Sequence, residues 1–100
     1  MTITLRGKHR RHLRGLGVHL EPAVFLGKNA LTESVVAEVR TALAANELIK
    51  VRLLDSVSGD RKEVARELAT RAGAELIQVL GRTVLLYLPN EEAPSIELPD

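Results

Sequence analysis

The stretch Ala23-Val-Phe-Leu-Gly-Lys-Asn-Ala-Leu-Thr-Glu33 passes from a short apolar run, through a tight glycine turn, into the start of an amphipathic helix. Val24, Phe25 and Leu26 read as a buried strand, and Val35, Val36, Val39 and Leu43 recur at helical spacing after Thr32. Between the two lies Gly27-Lys28-Asn29-Ala30, a basic turn with exposed backbone. It sits at the amino end of a helix, where free N–H groups and the helix dipole favour an anion, so a phosphate is the natural guest.

Working outward, residues 5 to 16 suit a first helix. Leu5, His9, His12, Leu13 and Leu16 fall on one stripe, and Lys8, Arg10, Arg11 and Arg14 on the remaining surface. Thr4 is placed to cap this helix and Gly17 to end it. Glu21-Pro22 breaks the helix and sets the entry to the strand 23–26. The second helix is expected over residues 34 to 45. Residues 48 to 54 alternate, with Ile49, Val51 and Leu53 on one face and the basic pair Lys50 and Arg52 on the other, the period of a half-buried strand. Asp55 to Asp60 reads as a loop, residues 61 to 72 as a third helix ended by Gly73. Residues 75 to 80 and 83 to 88 read as strands, joined by Gly81-Arg82 in a tight hairpin.

The order α-β-α-β-α-β-β defines an α/β fold: a single-domain, two-layer sandwich in which three helices pack on a mixed sheet of about four strands. Residues 1–89 form that domain. Residues 90–100, with Pro94, Pro99, Glu91, Glu92, Glu97 and Asp100, are expected to be a loosely held acidic tail that can be removed without loss.

Composition narrows the function. The chain of 100 residues is 45% hydrophobic and 27% charged, ordinary for a globular domain and against disorder. One Phe, one Tyr and no Trp leave almost no material for stacking bases on aromatic platforms. With no cysteine there is neither a disulfide nor a thiolate zinc site. No apolar run is long enough to span a bilayer, no signal-peptide core is present, and a cytoplasmic protein with no membrane association is expected. The net charge of +1 hides an uneven distribution. Arg6, Lys8, Arg10, Arg11 and Arg14 crowd the first twenty residues without an acid, and four acids fall in the last ten.

Five basic residues with no intervening acid repel one another, and phosphates would compensate them. Lys50, Arg52 and Arg82 are secondary candidates, because exposed strands also carry charge simply to guard sheet edges. His9 and His12, at i and i+3, lack a third ligand other than His19, so no metal site is expected. Asp55 and Asp60 could hold magnesium for phosphodiester chemistry, but they belong to turn chemistry, and Asp60 suits a helix cap. No nucleophile elbow, Walker loop or Rossmann fingerprint is present, and neither catalysis nor a cofactor is expected.

The segment Leu26-Gly27-Lys28-Asn29-Ala30-Leu31-Thr32-Glu33 resembles the glycine loop of the YhbY-like or CRM (chloroplast RNA splicing and ribosome maturation) RNA-binding domain. Lys8, Arg11, Leu13 and Leu16, then Glu47-Leu-Ile-Lys-Val51, then Gln78-Val-Leu-Gly-Arg-Thr-Val-Leu-Leu-Tyr87, extend the resemblance over residues 5 to 89. The family loop reads Gly-x-x-Gly and is similar to the loop by which KH-type domains clamp a nucleic-acid backbone. Ala30 stands at its fourth position here, a departure that weakens any argument needing a left-handed or side-chain-free backbone there; of a strained residue at positive φ and a residue already helical, the second is favoured. The resemblance implies a non-enzymatic, monomeric RNA-binding protein associated with ribosomal RNA in precursors of the large ribosomal subunit. Taken with the charge distribution, the candidate RNA contacts are Lys8, Arg10, Arg11, Arg14, Gly27, Lys28, Asn29, Ala30, Lys50, Arg52 and Arg82. Two alternatives of other classes are a protein-interaction module whose basic helix docks an acidic partner, and a magnesium-dependent nuclease.

Overall fold

A computed structural model describes residues 5–29 and 31–100, so the expectations for Thr4 and Ala30 lie outside the described residues. Its elements are α1 (Gly7–Gly17), β1 (Pro22–Leu26), α2 (Glu33–Asn46), β2 (Leu48–Leu53), α3 (Arg61–Ala72), β3 (Glu75–Leu80) and β4 (Thr83–Tyr87), in the order expected. The sheet runs β1-β2-β4-β3. β1 and β2 are parallel because α2 carries the chain back between them, and β4 inserts antiparallel between β2 and β3. Capping follows side-chain chemistry. Thr32 Oγ1 accepts from the Val35 N–H at 3.1 Å, Asp60 Oδ1 from the Lys62 N–H at 2.9 Å, and Gly73 ends α3 at a φ of 70°.

The alternation of β2 and β4 divides the core in two. Ile49, Val51, Leu53, Val84 and Leu86, with Val24 and Leu26 of β1, face α2 and α3. Leu48, Leu85, Tyr87 and Ile77 face the other way and close over Leu13 of α1. The sheet is therefore covered on both faces, with α1 opposite the other two helices rather than beside them in a second layer. Gly17 shows how closely α1 approaches: a Cβ there would stand 2.8 Å from Leu85 Cδ2. α1 ends at this glycine as expected, without a positive φ, and the residue also lets α1 pack closely on Leu85.

The last residues hold no helix or strand, yet they are anchored, against the expectation of a loose tail. Ile96 and Leu98 pack on the cluster around Leu13, and the Pro99 carbonyl lies 2.9 Å from His9 Nε2. Asn90, Ser95 and Ile96 donate their N–H groups to the buried Glu47 carboxylate at 2.5, 2.7 and 2.9 Å. The acidic composition of this segment hid two apolar anchors and a carboxylate partner 48 residues away.

Candidate nucleic-acid interface

β1 and β2 end at the same edge of the sheet, and the β3–β4 hairpin turns there too, because Arg52 pairs with Thr83. Three connections thus meet: the turn after Leu26, the loop after Leu53, and Gly81–Arg82. Leu54 N–H donates to the Leu26 carbonyl at 2.8 Å and Leu53 N–H to the Arg82 carbonyl at 2.7 Å, which ties them together. In open α/β sheets the carboxyl ends of parallel strands are where ligands bind, since the following loops converge on one place.

Gly27 is half-buried in this cluster, and Lys28 and Asn29 are exposed beyond it. Among the described residues neither Lys28 nor Asn29 has a side-chain hydrogen bond or ion pair. Gly27 has no positive φ, and a Cβ on it would meet Ser56 Oγ at 3.7 Å and Leu54 Cδ1 at 4.0 Å, ordinary contact distances. The fold does not require glycine at this position. The far side of the turn is held by Arg71 of α3, whose Nη1 donates to the Leu31 carbonyl at 2.9 Å while Nη2 bonds Glu67 Oε1 at 3.0 Å. The amino end of α2 is less available than the sequence suggested. The Thr32 side chain already caps it and Glu33 places a negative charge in its first turn, so the Lys28 charge and turn backbone carry more of the anion attraction than the dipole.

The other candidate residues divide. Arg52 is exposed and Lys50 half-buried, both on the face of the sheet that carries α1. Arg82 stands at the same end, paired with Asp55 in an exposed salt bridge. Lys8 and Arg14 are half-buried and Arg11 is exposed. Arg10 differs: its guanidinium donates to the Leu76 carbonyl on β3 at 2.8 Å, so it fastens α1 to the sheet. His9 accepts from the Arg6 N–H at Nδ1 at 3.0 Å while its Nε2 meets the Pro99 carbonyl, and His12 is exposed rather than on the buried stripe. Asp55 and Asp60 are spent on Arg82 and on the α3 cap, and no group of three or more His, Cys, Asp or Glu able to hold a metal occurs among the described residues.

Phe25, which the sequence places in a buried strand, faces outward at this end. Phe25 is 54% exposed. A continuous apolar run suggests burial on both faces, but β1 is an edge strand covered by helices on one face only, so Val24 and Leu26 are buried while Phe25 points out opposite them.

A four-stranded mixed sheet in this helix and strand order, with an exposed glycine turn and a basic face, defines a compact α/β domain of one type. The chain belongs to the CRS1 / YhbY (CRM) domain family, whose model matches residues 5–87. It is 37% identical over 95 residues to the protein named "Probable RNA-binding protein YqeI" of Bacillus subtilis, covering 95% of this chain and 99% of that protein. It is 40% identical over 96 residues to a protein named "RNA-binding protein" of Haemophilus influenzae, covering 96% of each. A Staphylococcus aureus protein of known solution structure superposes with a TM-score of 0.81 at 35% identity, over 96% of this chain and all of that one. No helix among the described residues is long and apolar enough to cross a membrane.

Proposed function

We propose that this chain is a non-enzymatic RNA-binding protein that grips the phosphate backbone at the carboxyl ends of β1 and β2. Gly27, Lys28 and Asn29 form the clamp, with Ala30 as its fourth position in sequence. Arg52 and Arg82 flank it, and Lys50 with Lys8, Arg11 and Arg14 extends the positive field over the α1 face. The observation that carries this reading is the conjunction at Gly27: a glycine the fold does not need, followed by an exposed lysine without a partner among the described residues, where three loops converge. A bare backbone there lets a phosphate approach the turn amides closely. Relatives covering nearly the whole chain and named RNA-binding proteins support RNA as the ligand.

The finer reading, which the resemblance to the family suggests, is that the RNA is ribosomal and belongs to precursors of the large ribosomal subunit; with it we propose that the protein acts as a cytoplasmic monomer. Crosslinking the protein to RNA in cells and sequencing the bound fragments tests it. Enrichment of large-subunit precursor sequences is the expected result, and a population dominated by messenger or transfer RNA would contradict it.

A further inference from the structure

Across the end of the sheet nearest the glycine turn, on the face that carries α1, four side chains stand in one row. Phe25 of β1 is in register with Arg52 of β2, Arg52 with Thr83 of β4, and Thr83 with Leu80 of β3. Alternation fixes the side: Leu26, Leu53 and Val84, next along the strands from Phe25, Arg52 and Thr83, all belong to the core under α2 and α3. α1 reaches only the other half of this face, over Leu48, Leu85, Tyr87 and Ile77. The row is left uncovered, with Phe25 54% and Leu80 68% exposed and the Arg52 side chain also in solvent. Of the two aromatic residues in the chain, Tyr87 is buried and Phe25 is the one presented to solvent, two residues before Gly27.

We infer that Phe25 and Arg52 form a stacking ledge for an unpaired base of single-stranded RNA, next to the phosphate held at Gly27–Asn29. This inference rests on the phosphate grip proposed above and adds the class of RNA it takes. An aromatic face and a guanidinium plane are the two side-chain surfaces on which bases stack without regard to sequence. Phe25 lies two residues before Gly27 and Arg52 pairs beside it, which suits a nucleotide whose base and backbone are gripped together. The exposed arginine beside Phe25 favours a polyanion over an apolar protein surface. A base paired in a duplex keeps its faces inside its own stack and cannot use the ledge.

The test compares an unstructured oligouridylate with a blunt RNA duplex of equal length. Phe25→Leu keeps the apolar bulk and removes the ring, and Phe25→Tyr restores an aromatic face. Phe25→Leu is expected to bind the single strand about tenfold more weakly, to leave the salt dependence of binding unchanged, and to bind the duplex within about twofold of the parent. Phe25→Tyr is expected to recover parental affinity. Parental binding of the single strand by Phe25→Leu overturns the ledge, and so does an equal loss on both RNAs. Lys28→Gln is measured beside them. If it leaves affinity and salt slope unchanged, the phosphate grip fails, a result distinct from any outcome at Phe25.

Discussion

The carboxylate of Glu47 accepts a 2.7 Å hydrogen bond from the backbone of Ser95, 48 residues further along the chain, and this contact organises one side of the molecule. Glu47 follows α2 with a φ of 58°, a left-handed conformation in which glycine is the usual occupant. A glutamate there bears backbone strain of about 1–3 kcal/mol, which the three N–H groups gathered by its side chain offset. Its own carbonyl also accepts from Leu88 N–H at 2.7 Å. One residue thus turns the chain from α2 into β2 and anchors the segment after β4.

Replacing Glu47 should separate these roles. Glu47→Gln leaves one carbonyl oxygen for three donors and is expected to cost about 1–3 kcal/mol in chemical denaturation. Glu47→Gly relieves the φ but abandons all three amides, and it should also destabilise. A stabilised Glu47→Gly would show that strain outweighs the carboxylate bonds.

The same residue sets an acid limit. Burial by itself would raise the Glu47 carboxyl, but the bonds from Asn90, Ile96 and Ser95 outweigh it and hold the group below its ordinary value of 4.5. A carboxylate depressed in the folded state contributes stability that is present above the unfolded pKa and is lost as the pH falls through the folded one. Stability should therefore decline as the pH falls through and below 4.5, and the decline should shrink in Glu47→Gln. At the alkaline end, burial and then the Glu47 charge raise the Tyr87 hydroxyl. Its contribution persists below the unfolded tyrosine value and disappears as the pH climbs through the raised one.

Deleting residues 90–100 should lower the melting temperature. Ile96 and Leu98 leave the cluster around Leu13, and Glu47 loses its three donors. A loss of about 2 kcal/mol corresponds to roughly 10 °C for a domain of this size. RNA affinity should change little, because the segment docks away from the glycine turn. An unchanged melting temperature would mean that these contacts contribute nothing.

Two glycines should answer to alanine in opposite ways. At Gly17 the new Cβ would crowd Leu85 at 2.8 Å, so Gly17→Ala is expected to destabilise the α1 layer by about 1–3 kcal/mol without a direct effect on RNA affinity. At Gly27 the Cβ fits, so Gly27→Ala should leave thermal stability near the parent and weaken RNA binding by obstructing the phosphate. Full affinity in Gly27→Ala would place the clamp elsewhere.

The element order was legible because each signal was local: the alternation of Ile49, Val51 and Leu53, the cap at Asp60, the two-residue turn at Gly81–Arg82. What the sequence concealed depended on partners distant along the chain. Phe25 looked buried because a run of three apolar residues carries no record of which strand will be an edge. Arg10 was indistinguishable from Arg11 and Arg14 until β3 supplied the Leu76 carbonyl. Gly17 was legible as the end of α1, but its packing role was not, because Leu85 lies on another layer. The docked tail could have been suspected from Ile96 and Leu98 at alternate positions among the acids, but the glutamate that receives it belongs to the turn after α2.

The central claim, a phosphate grip shared by the glycine turn and the basic face, is tested most directly by the salt dependence of affinity for a single-stranded RNA. The parent is compared with Lys28→Gln, Arg52→Gln and the double variant Arg11→Gln, Arg14→Gln. Arg10 is left intact because it holds α1 to β3. Each cation that contacts a phosphate should take about 0.7 from the slope of log affinity against log salt when removed. The account predicts a steep parental slope that flattens by about that amount for Lys28→Gln and for Arg52→Gln, and by up to about twice as much for the double variant. A parental slope near zero, or one that none of these substitutions alters, would contradict it.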